Sequence, residues 1–307
     1  MVSLAITCIL LTSIQYVIAI PVLDSTFTPV DLVYECAVKS EVRGKNKTPL
    51  LLLHGMGQTK EDWDGTYELL TFKTGRRVCR ADLRNQGDSP WDNETSVAAM
   101  TEDIIHLLDT IREKTAVLIG HSLGGKVAIH AALNYPERVD SIIIEDITPN
   151  SLDPRLVQGI TMDIKRIMAM MKLVPEGSDE KQATAIIISI LREEMLQRNV
   201  TVDEERLAQV KLPLTCKDGK CRWKTNFDLI IRIYENNFDD FWTPSSGIFD
   251  GSALFIYGTA SKFRVYEEKE SIQKLFPKVK FASVEGAGHT IHGFYPQFEE
   301  EILKFLD

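Results

Sequence analysis

From Leu32 onward, short apolar runs alternate with longer stretches in which apolar residues recur at helical spacing. Near-continuous apolar runs of about four to six residues, closed by Gly or a charge, are typical of parallel strands that are covered on both faces. The runs that predict such strands are PLLLLHG (49–55), RRVCRADL (76–83), TAVLIG (115–120), DSIIIED (140–146) and ALFIYG (253–258). A further strand-like stretch, KVKFASV (278–284), lies near the C-terminus.

Helices are predicted between these strands, over residues 96–112, 122–135, 265–275 and 296–306. Strands and helices that alternate in this way form a doubly wound, mostly parallel sheet with helices on both faces. We therefore expect an α/β fold.

One long segment, residues 151–242, lacks a convincing buried strand. An all-helical insert between two parallel strands is expected to cover the carboxyl edge of the sheet, where ligands bind in such folds. The sequence therefore predicts a core of residues 20–150 and 243–307 with a helical cap over 151–242. The helices predicted in the cap are 154–172, 179–198, 203–210 and 226–237.

The motif GHSLGG (120–125) follows one predicted strand and opens a helix. A G-x-S-x-G motif in this context is a nucleophile elbow, a turn so tight that Gly120 and Gly124 are needed and Ser122 is left projecting. We therefore expect Ser122 to be the nucleophile. Its position at a helix N-terminus also favours negative charge that develops during a reaction.

A serine hydroxyl needs an imidazole within hydrogen-bond reach to accept its proton. His289 lies in the Gly-rich segment EGAGHTIHG (285–293), which follows the strand-like stretch near the C-terminus. It would therefore lie at the same sheet edge as Ser122. The alternative is that His292, three residues further on, is the base and that His289 is structural.

An oxyanion hole requires two fixed backbone N–H donors. Leu123, directly after the nucleophile, should supply one. HGMG (54–57) follows the LLLL strand, and its glycines permit close backbone approach, so we assign the second donor to Met56. The alternative is an ordinary Gly-rich turn.

The acid that orients His289 is harder to assign, because TASKF (259–263), after the ALFIYG strand, contains no Asp or Glu. Asp146 ends the preceding strand, which we expect to lie between the strands that lead to Ser122 and to TASKF. It is the first candidate. Asp228 and Glu145 are the lesser ones, and each carboxylate could instead be a helix cap or a solvated charge.

Composition narrows the class of protein. The chain has 307 residues, with 44 acidic and 35 basic side chains, so 44 − 35 gives a formal charge of −9. A nucleic-acid-binding protein would need a basic face, so the charge argues against a nucleic-acid partner. The sequence contains no CxxC pair, and nothing in it supports a zinc site.

Residues 1–19 predict a secretory signal peptide, because residues 1–20 contain no charged side chain and Val17 and Ala19 fit a cleavage site directly after Ala19. Retention as an uncleaved anchor is the alternative. After cleavage, no apolar run remains that is long enough to span a bilayer, and the protein is expected to be secreted.

Two other features agree with export. N-glycosylation sequons occur at Asn46, Asn93 and Asn199. Cys8 leaves with the signal peptide, and an even number of cysteines remains, as an oxidising compartment favours. Asp218-Gly219 turns the chain between Cys216 and Cys221, so a local disulfide is predicted. Cys36 and Cys79 would then pair by elimination, unless both are small buried residues in strands.

Six segments resemble the α/β-hydrolase domain-containing protein 11 group and its bacterial YbfF-type esterase relatives, in both order and spacing. They are HGMG (54–57), DLRNQGDSP (82–90), GHSLGGKVA (120–128), EDITP (145–149), RWKTNFD (222–228) and GAGHTIH (286–292). The resemblance implies an α/β-hydrolase fold with a helical cap and a serine hydrolase that acts on acyl esters or thioesters. It also implies no metal or organic cofactor. For the acid, the bacterial relatives point to Asp146 and the animal group to Asp228.

The expected function is therefore cleavage of a small acyl ester or lipid through an acyl-enzyme on Ser122. A function of another class is a secreted binding or carrier module on the same fold, which the lack of an acid in TASKF would favour. A carboxylate within hydrogen-bond distance of His289 Nδ1 would favour the hydrolase over the binding module.

Overall fold

A computed structural model describes residues 27–38, 47–199, 201–208, 210–236, 238–242 and 246–307. The expected signal peptide, residues 1–19, and the expected glycosylation site Asn46 lie outside the described residues.

The described residues contain a large mixed sheet and a small hairpin. The strands are β1 (Tyr34–Ala37), β2 (Leu50–Leu53), β3 (Val78–Ala81), β4 (Ala116–His121), β5 (Val139–Glu145), β6 (Leu214–Lys217), β7 (Lys220–Trp223), β8 (Ser252–Gly258) and β9 (Val279–Val284). The large sheet has the order β1-β3-β2-β4-β5-β8-β9. All its neighbouring strands are parallel except the edge pair β1 and β3.

Helices connect the strands and cover both faces of this sheet. They are α1 (Thr66–Thr74), α2 (Val97–Thr110), α3 (Leu123–Asn134), α4 (Pro154–Met171), α5 (Glu180–Gln197), α6 (Glu204–Ala208), α7 (Phe227–Asn236), α8 (Phe238–Trp242), α9 (Lys269–Leu275) and α10 (Gln297–Leu306). The chain has the α/β-hydrolase architecture that the sequence indicated.

The sheet is buried on both faces, as the unbroken apolar runs predicted. In β2, Leu51 and Leu53 pack into one apolar cluster, and Leu50 and Leu52 pack into the other on the opposite face. This division follows from the pleat, which turns successive side chains to opposite faces of a strand. All five predicted strands and the strand-like stretch before residue 285 are confirmed.

Strand β1 is absent from the predicted set. It lies at the antiparallel edge of the sheet, and its residues are exposed or half-buried, so it has no continuous apolar run. Cys36 in β1 lies opposite Cys79 in β3, and the two form a disulfide. The pairing expected by elimination is therefore present in the structure.

The segment between β5 and β8 has helices at the four expected places, but it is not entirely helical. Strands β6 and β7 form an antiparallel hairpin within it, closed by a disulfide between Cys216 and Cys221. Asp218 and Gly219 at the turn both have positive φ, 52° and 77°, as expected for an Asp-Gly hairpin turn. The expectation of an all-helical segment is wrong. Neither strand has a continuous buried apolar run that would mark it in the sequence, since only Leu214 and Trp223 in the two strands are buried. The boundaries of a separate cap domain stay a prediction.

Over the described ranges, the structure contains no helix that is both long and apolar enough to cross a bilayer.

The two disulfides are expected to contribute unequally to stability. Cys36 and Cys79 are 43 residues apart, so replacing both with Ala should lower the free energy of unfolding by about 4 kcal/mol, because the unfolded chain regains loop-closure entropy. Cys216 and Cys221 are only 5 residues apart, and the same change there should cost about 2 kcal/mol. Urea unfolding of both double variants measures these losses. A larger loss for the Cys216–Cys221 pair would contradict the explanation by loop-closure entropy.

Candidate active site

Ser122 lies in the turn between β4 and α3, and its backbone is strained. Its φ is 50° and its ψ is −112°, a region that non-glycine residues rarely adopt. A Cβ on Gly120 would collide with the carbonyl group of Gly124, and a Cβ on Gly124 would collide with the carbonyl group of Leu53. The two glycines therefore permit the tight turn that was expected from the sequence.

His289 follows β9 and reaches back to Ser122. Its Nε2 lies 2.9 Å from Ser122 Oγ, and its Nδ1 lies 2.7 Å from Asp146 Oδ2. The ring of Phe263 stacks on the imidazole, with 3.7 Å between ring centroids and an interplanar angle of 8°. The imidazole is therefore held at both nitrogens and on one face.

Asp146 directly follows β5, and its side chain is fully buried. Strand β5 lies between β4 and β8, so this carboxylate lies between Ser122 and the TASKF segment. Its φ of 53° is a left-handed conformation that Asp tolerates better than most residues. Its Oδ1 also accepts a hydrogen bond from the Gly258 backbone N–H over 3.2 Å.

Ser261 is a part of the site that the sequence reasoning missed. It lies in TASKF, the segment without an acid, and its hydroxyl donates to Asp146 Oδ2. The same hydroxyl accepts a hydrogen bond from the Phe263 backbone N–H over 3.1 Å. A serine at the position where an acid was sought was the only sequence signal available.

The side chains of the other candidate residues make different contacts. Asp228 is exposed in the first turn of α7 and lines a separate surface groove with Lys172 and Arg222. Across the described ranges, its carboxylate makes no hydrogen bond to His289. The carboxylate of Glu145 contacts His292, with 2.6 Å between Oε2 and Nδ1, and His292 makes no hydrogen bond to Ser122.

The backbone N–H groups around Ser122 differ in whether they have a protein acceptor. The neighbours of Met56 are occupied, because the Gly55 N–H donates to Gln58 and the Gly57 N–H donates to Gln86. At the elbow, Gly124 N–H donates to the His54 carbonyl group. Among the residues that the structure describes, the N–H groups of Met56 and Leu123 have no protein acceptor, and both residues line the cavity above Ser122.

This cavity has a volume of about 870 Å³ and lies between the sheet edge and the α4–α8 segment. Ser122 and His289 lie at its floor, and Thr290 is part of its wall. Aliphatic and aromatic side chains that follow β5 form most of the opposite wall: Leu152, Ile160, Ile164, Ile167, Ile187, Leu191, Phe227, Tyr234 and Trp242. An apolar chain fits such a wall, because its burial removes hydrocarbon from water on both sides.

Comparisons with known proteins identify a family model and relatives that resemble this chain. Residues 48–163 match the family model described as alpha/beta hydrolase fold. The chain is 33% identical to sn-1-specific diacylglycerol lipase ABHD11 of Danio rerio, over 92% of this chain and 84% of that protein. It is also 33% identical to the protein of the same name from Xenopus tropicalis, over 80% of this chain and 73% of that protein.

A solved structure described as a marine microorganism esterase has the same fold. It superimposes with a TM-score of 0.69 at 24% identity, over 90% of this chain and 99% of that chain.

The two candidate carboxylates can be compared directly by substitution. Asp146→Asn should slow the labelling of Ser122 by a fluorophosphonate probe on the order of 10⁴-fold, because the amide no longer favours the imidazole tautomer that accepts the serine proton. Asp228→Asn is the matched control and should label at the wild-type rate, since Asp228 lies in another groove. Gel-based labelling over time measures both rates. Equal slowing by the two changes would contradict the assignment of Asp146.

Proposed function

Because the chain belongs to the α/β-hydrolase family, in the group of the ABHD11 lipases, we propose that it is a serine hydrolase that cleaves acyl esters through a covalent intermediate on Ser122. The single observation that carries this proposal is the pair of hydrogen bonds that join Ser122, His289 and Asp146. The names of the relatives support the same class of reaction.

Acylation begins when Ser122 Oγ attacks the ester carbonyl carbon and its proton moves to His289 Nε2. The Nδ1–H of His289 remains donated to Asp146, whose negative charge stabilises the imidazolium that forms. The hydrogen bond from Ser261 holds this carboxylate in place.

The carbonyl oxygen becomes an oxyanion in this step, and the N–H groups of Met56 and Leu123 receive it. Donors already aimed at the position where charge develops need no reorganisation during the reaction, which makes them effective. When the tetrahedral intermediate collapses, His289 returns its proton to the leaving alcohol. A water molecule, deprotonated by the same imidazole, then hydrolyses the acyl-enzyme and restores the Ser122 hydroxyl.

The cavity supports an acyl chain as the part of the substrate that is recognised. Ile164 and Ile187 are nearly fully buried and line its apolar wall. The relatives are named as sn-1-specific diacylglycerol lipases, and a diacylglycerol carries acyl chains of this kind, so we assign acylglycerol-like esters as the substrate class.

A binding or carrier module without catalysis is the less favoured function. Its basis was the lack of an acid after β8, and Asp146 meets the distance test that separates the two functions.

We further propose that the protein acts in the secretory pathway or outside the cell. The leader-like residues 1–19 and the two disulfides support this location. Asn93 and Asn199 are exposed, so both asparagines are accessible for glycosylation.

Replacing Ser122 with Ala should lower kcat for p-nitrophenyl ester hydrolysis by about 10⁴- to 10⁶-fold, because only binding and the oxyanion hole remain. The fold should be retained, since the change removes one partly exposed hydroxyl group. The measurement is the rate of p-nitrophenol release by the purified protein, with circular dichroism as the control for folding. A folded wild-type protein with no activity on any chain length would contradict the proposal.

The acyl-chain assignment is tested by narrowing the cavity. Ile164→Trp adds bulk to the apolar wall and should reduce kcat/KM for long-chain esters at least about tenfold more than for acetate, because the longer chain loses buried contacts. Met162→Trp is the matched control on the same helix, since Met162 is 65% exposed and does not line the cavity. Equal losses for acetate and long-chain esters in Ile164→Trp would place the acyl chain elsewhere.

A further inference from the structure

Beside Asp146 and His289, a second carboxylate and imidazole are paired. On the basis of the function proposed above, we infer that Glu145 and His292 are positioning residues, which hold the loop that carries His289 at reacting distance from Ser122.

The loop needs such a restraint because it is rich in glycine. Gly286 and Gly293, which bound it, have φ values of 70° and 74°. A Cβ on Gly286, Gly288 or Gly293 would meet no other atom within 4 Å, so no neighbouring group packs against these glycines on the side where a side chain would lie. Glycine also has the greatest backbone freedom to lose on folding. The position of His289 therefore depends on a few specific contacts.

Glu145 supplies three of these contacts from the end of β5. Its Oε1 accepts hydrogen bonds from the backbone N–H groups of Ile291, over 2.5 Å, and His292, over 3.0 Å. Its Oε2 lies 2.6 Å from Nδ1 of the His292 ring. The side chain of Glu145 is fully buried, so water does not compete for these bonds.

The same residue also contacts the nucleophile. The carbonyl oxygen of Glu145 accepts a hydrogen bond from the Ser122 backbone N–H over 3.1 Å. Asp146, the next residue, binds the ring of His289. The dipeptide Glu145-Asp146 therefore contacts the elbow, the imidazole and the loop behind the imidazole, and it fixes the three relative to one another.

Charge strengthens the pair. Burial alone would raise the pKa of the Glu145 carboxyl, but the charge of His292, helped by His121 and the Ile291 N–H, outweighs burial and brings that pKa to about 2. Burial alone would lower the pKa of His292, but the charge and hydrogen bond of Glu145 raise it above its usual range, and the nearby carboxylates of Asp62 and Glu299 act in the same direction. The His292 ring also stacks on Trp63, with 4.3 Å between centroids.

His121 restrains the loop from the other side. Burial lowers its pKa to about 3. Its Nε2 lies 3.0 Å from the carbonyl oxygen of His289, and its Nδ1 lies 2.8 Å from Gln58 Oε1. His121 therefore contacts the loop at His289, whereas Glu145 contacts it at Ile291 and His292.

The size of the expected effect follows from geometry. The distance of 2.9 Å between His289 Nε2 and Ser122 Oγ leaves little room for displacement before the hydrogen bond is lost. A misplacement of about 1 Å costs on the order of 100-fold in rate.

The experiment compares Glu145→Ala with the isosteric Glu145→Gln, using p-nitrophenyl esters and active-site titration to count competent protein. Glu145→Ala should lower kcat per titrated site by about 30- to 100-fold with KM within about threefold of wild type. Glu145→Gln should recover most of this loss, because its amide oxygen still accepts from both backbone N–H groups. Without the charge of Glu145, burial favours the neutral form of His292, whose Nδ1 can then accept from the amide NH₂. If the Ala variant does not fold, Glu145→Asp, which keeps the charge but is too short to make all three contacts, should show the loss instead.

A second readout does not depend on activity. Hydrogen exchange at the Ile291 and His292 amides should accelerate in Glu145→Ala, or in Glu145→Asp, and stay near the wild-type rate in Glu145→Gln. Unchanged exchange, or a kcat per site within threefold of wild type after loss of the contacts, would overturn the positioning role. If the folded wild-type protein is inactive but amide exchange is still faster in Glu145→Ala, the proposed function is refuted. The role of Glu145 in holding the loop is then still supported.

Discussion

The structure depends on one backbone constraint, the strained turn that carries Ser122 between β4 and α3. The φ of Ser122 is 50° and its ψ is −112°. The turn is possible because Gly120 and Gly124 have no Cβ, which lets Gly120 approach the Gly124 carbonyl group and Gly124 approach that of Leu53. The strain is offset by the surrounding sheet, whose central strands are buried on both faces. In return, the hydroxyl projects over the carboxyl edge of the sheet at a helix N-terminus, where the apolar cavity opens.

The strand order determines what meets this hydroxyl. Strand β5 lies between β4 and β8, and the two carboxylates at its end face the loop that follows β9. Asp146 binds the ring of His289 because its left-handed backbone turns the chain at the strand end. Ser261 lies where the sequence lacks an acid after β8, and it donates to Asp146. The carboxylate thus comes from β5, and the β8 segment contributes a donor to it.

Much of this arrangement could be predicted from the sequence, since it depends on local rules. The buried strands have continuous apolar runs, and the elbow has a motif in its proper context, so β4, α3 and Ser122 were assigned together. Asp146 could be favoured over Asp228 because the expected strand order brings only the former near His289. The features that could not be predicted from the sequence depend on tertiary contacts. Strand β1 has no apolar run, strands β6 and β7 have one buried residue each, and Ser261 belongs to no motif.

The central claim is that Ser122 becomes covalently acylated by substrate. The most direct test is to mix the protein with excess p-nitrophenyl ester, quench in acid within milliseconds to seconds, and locate the acyl group by mass spectrometry of the peptides. We expect one acyl adduct, on Ser122, which disappears as the ester is consumed. Hydrolysis that proceeds with no adduct at any time, or with the adduct on another residue, would contradict the account.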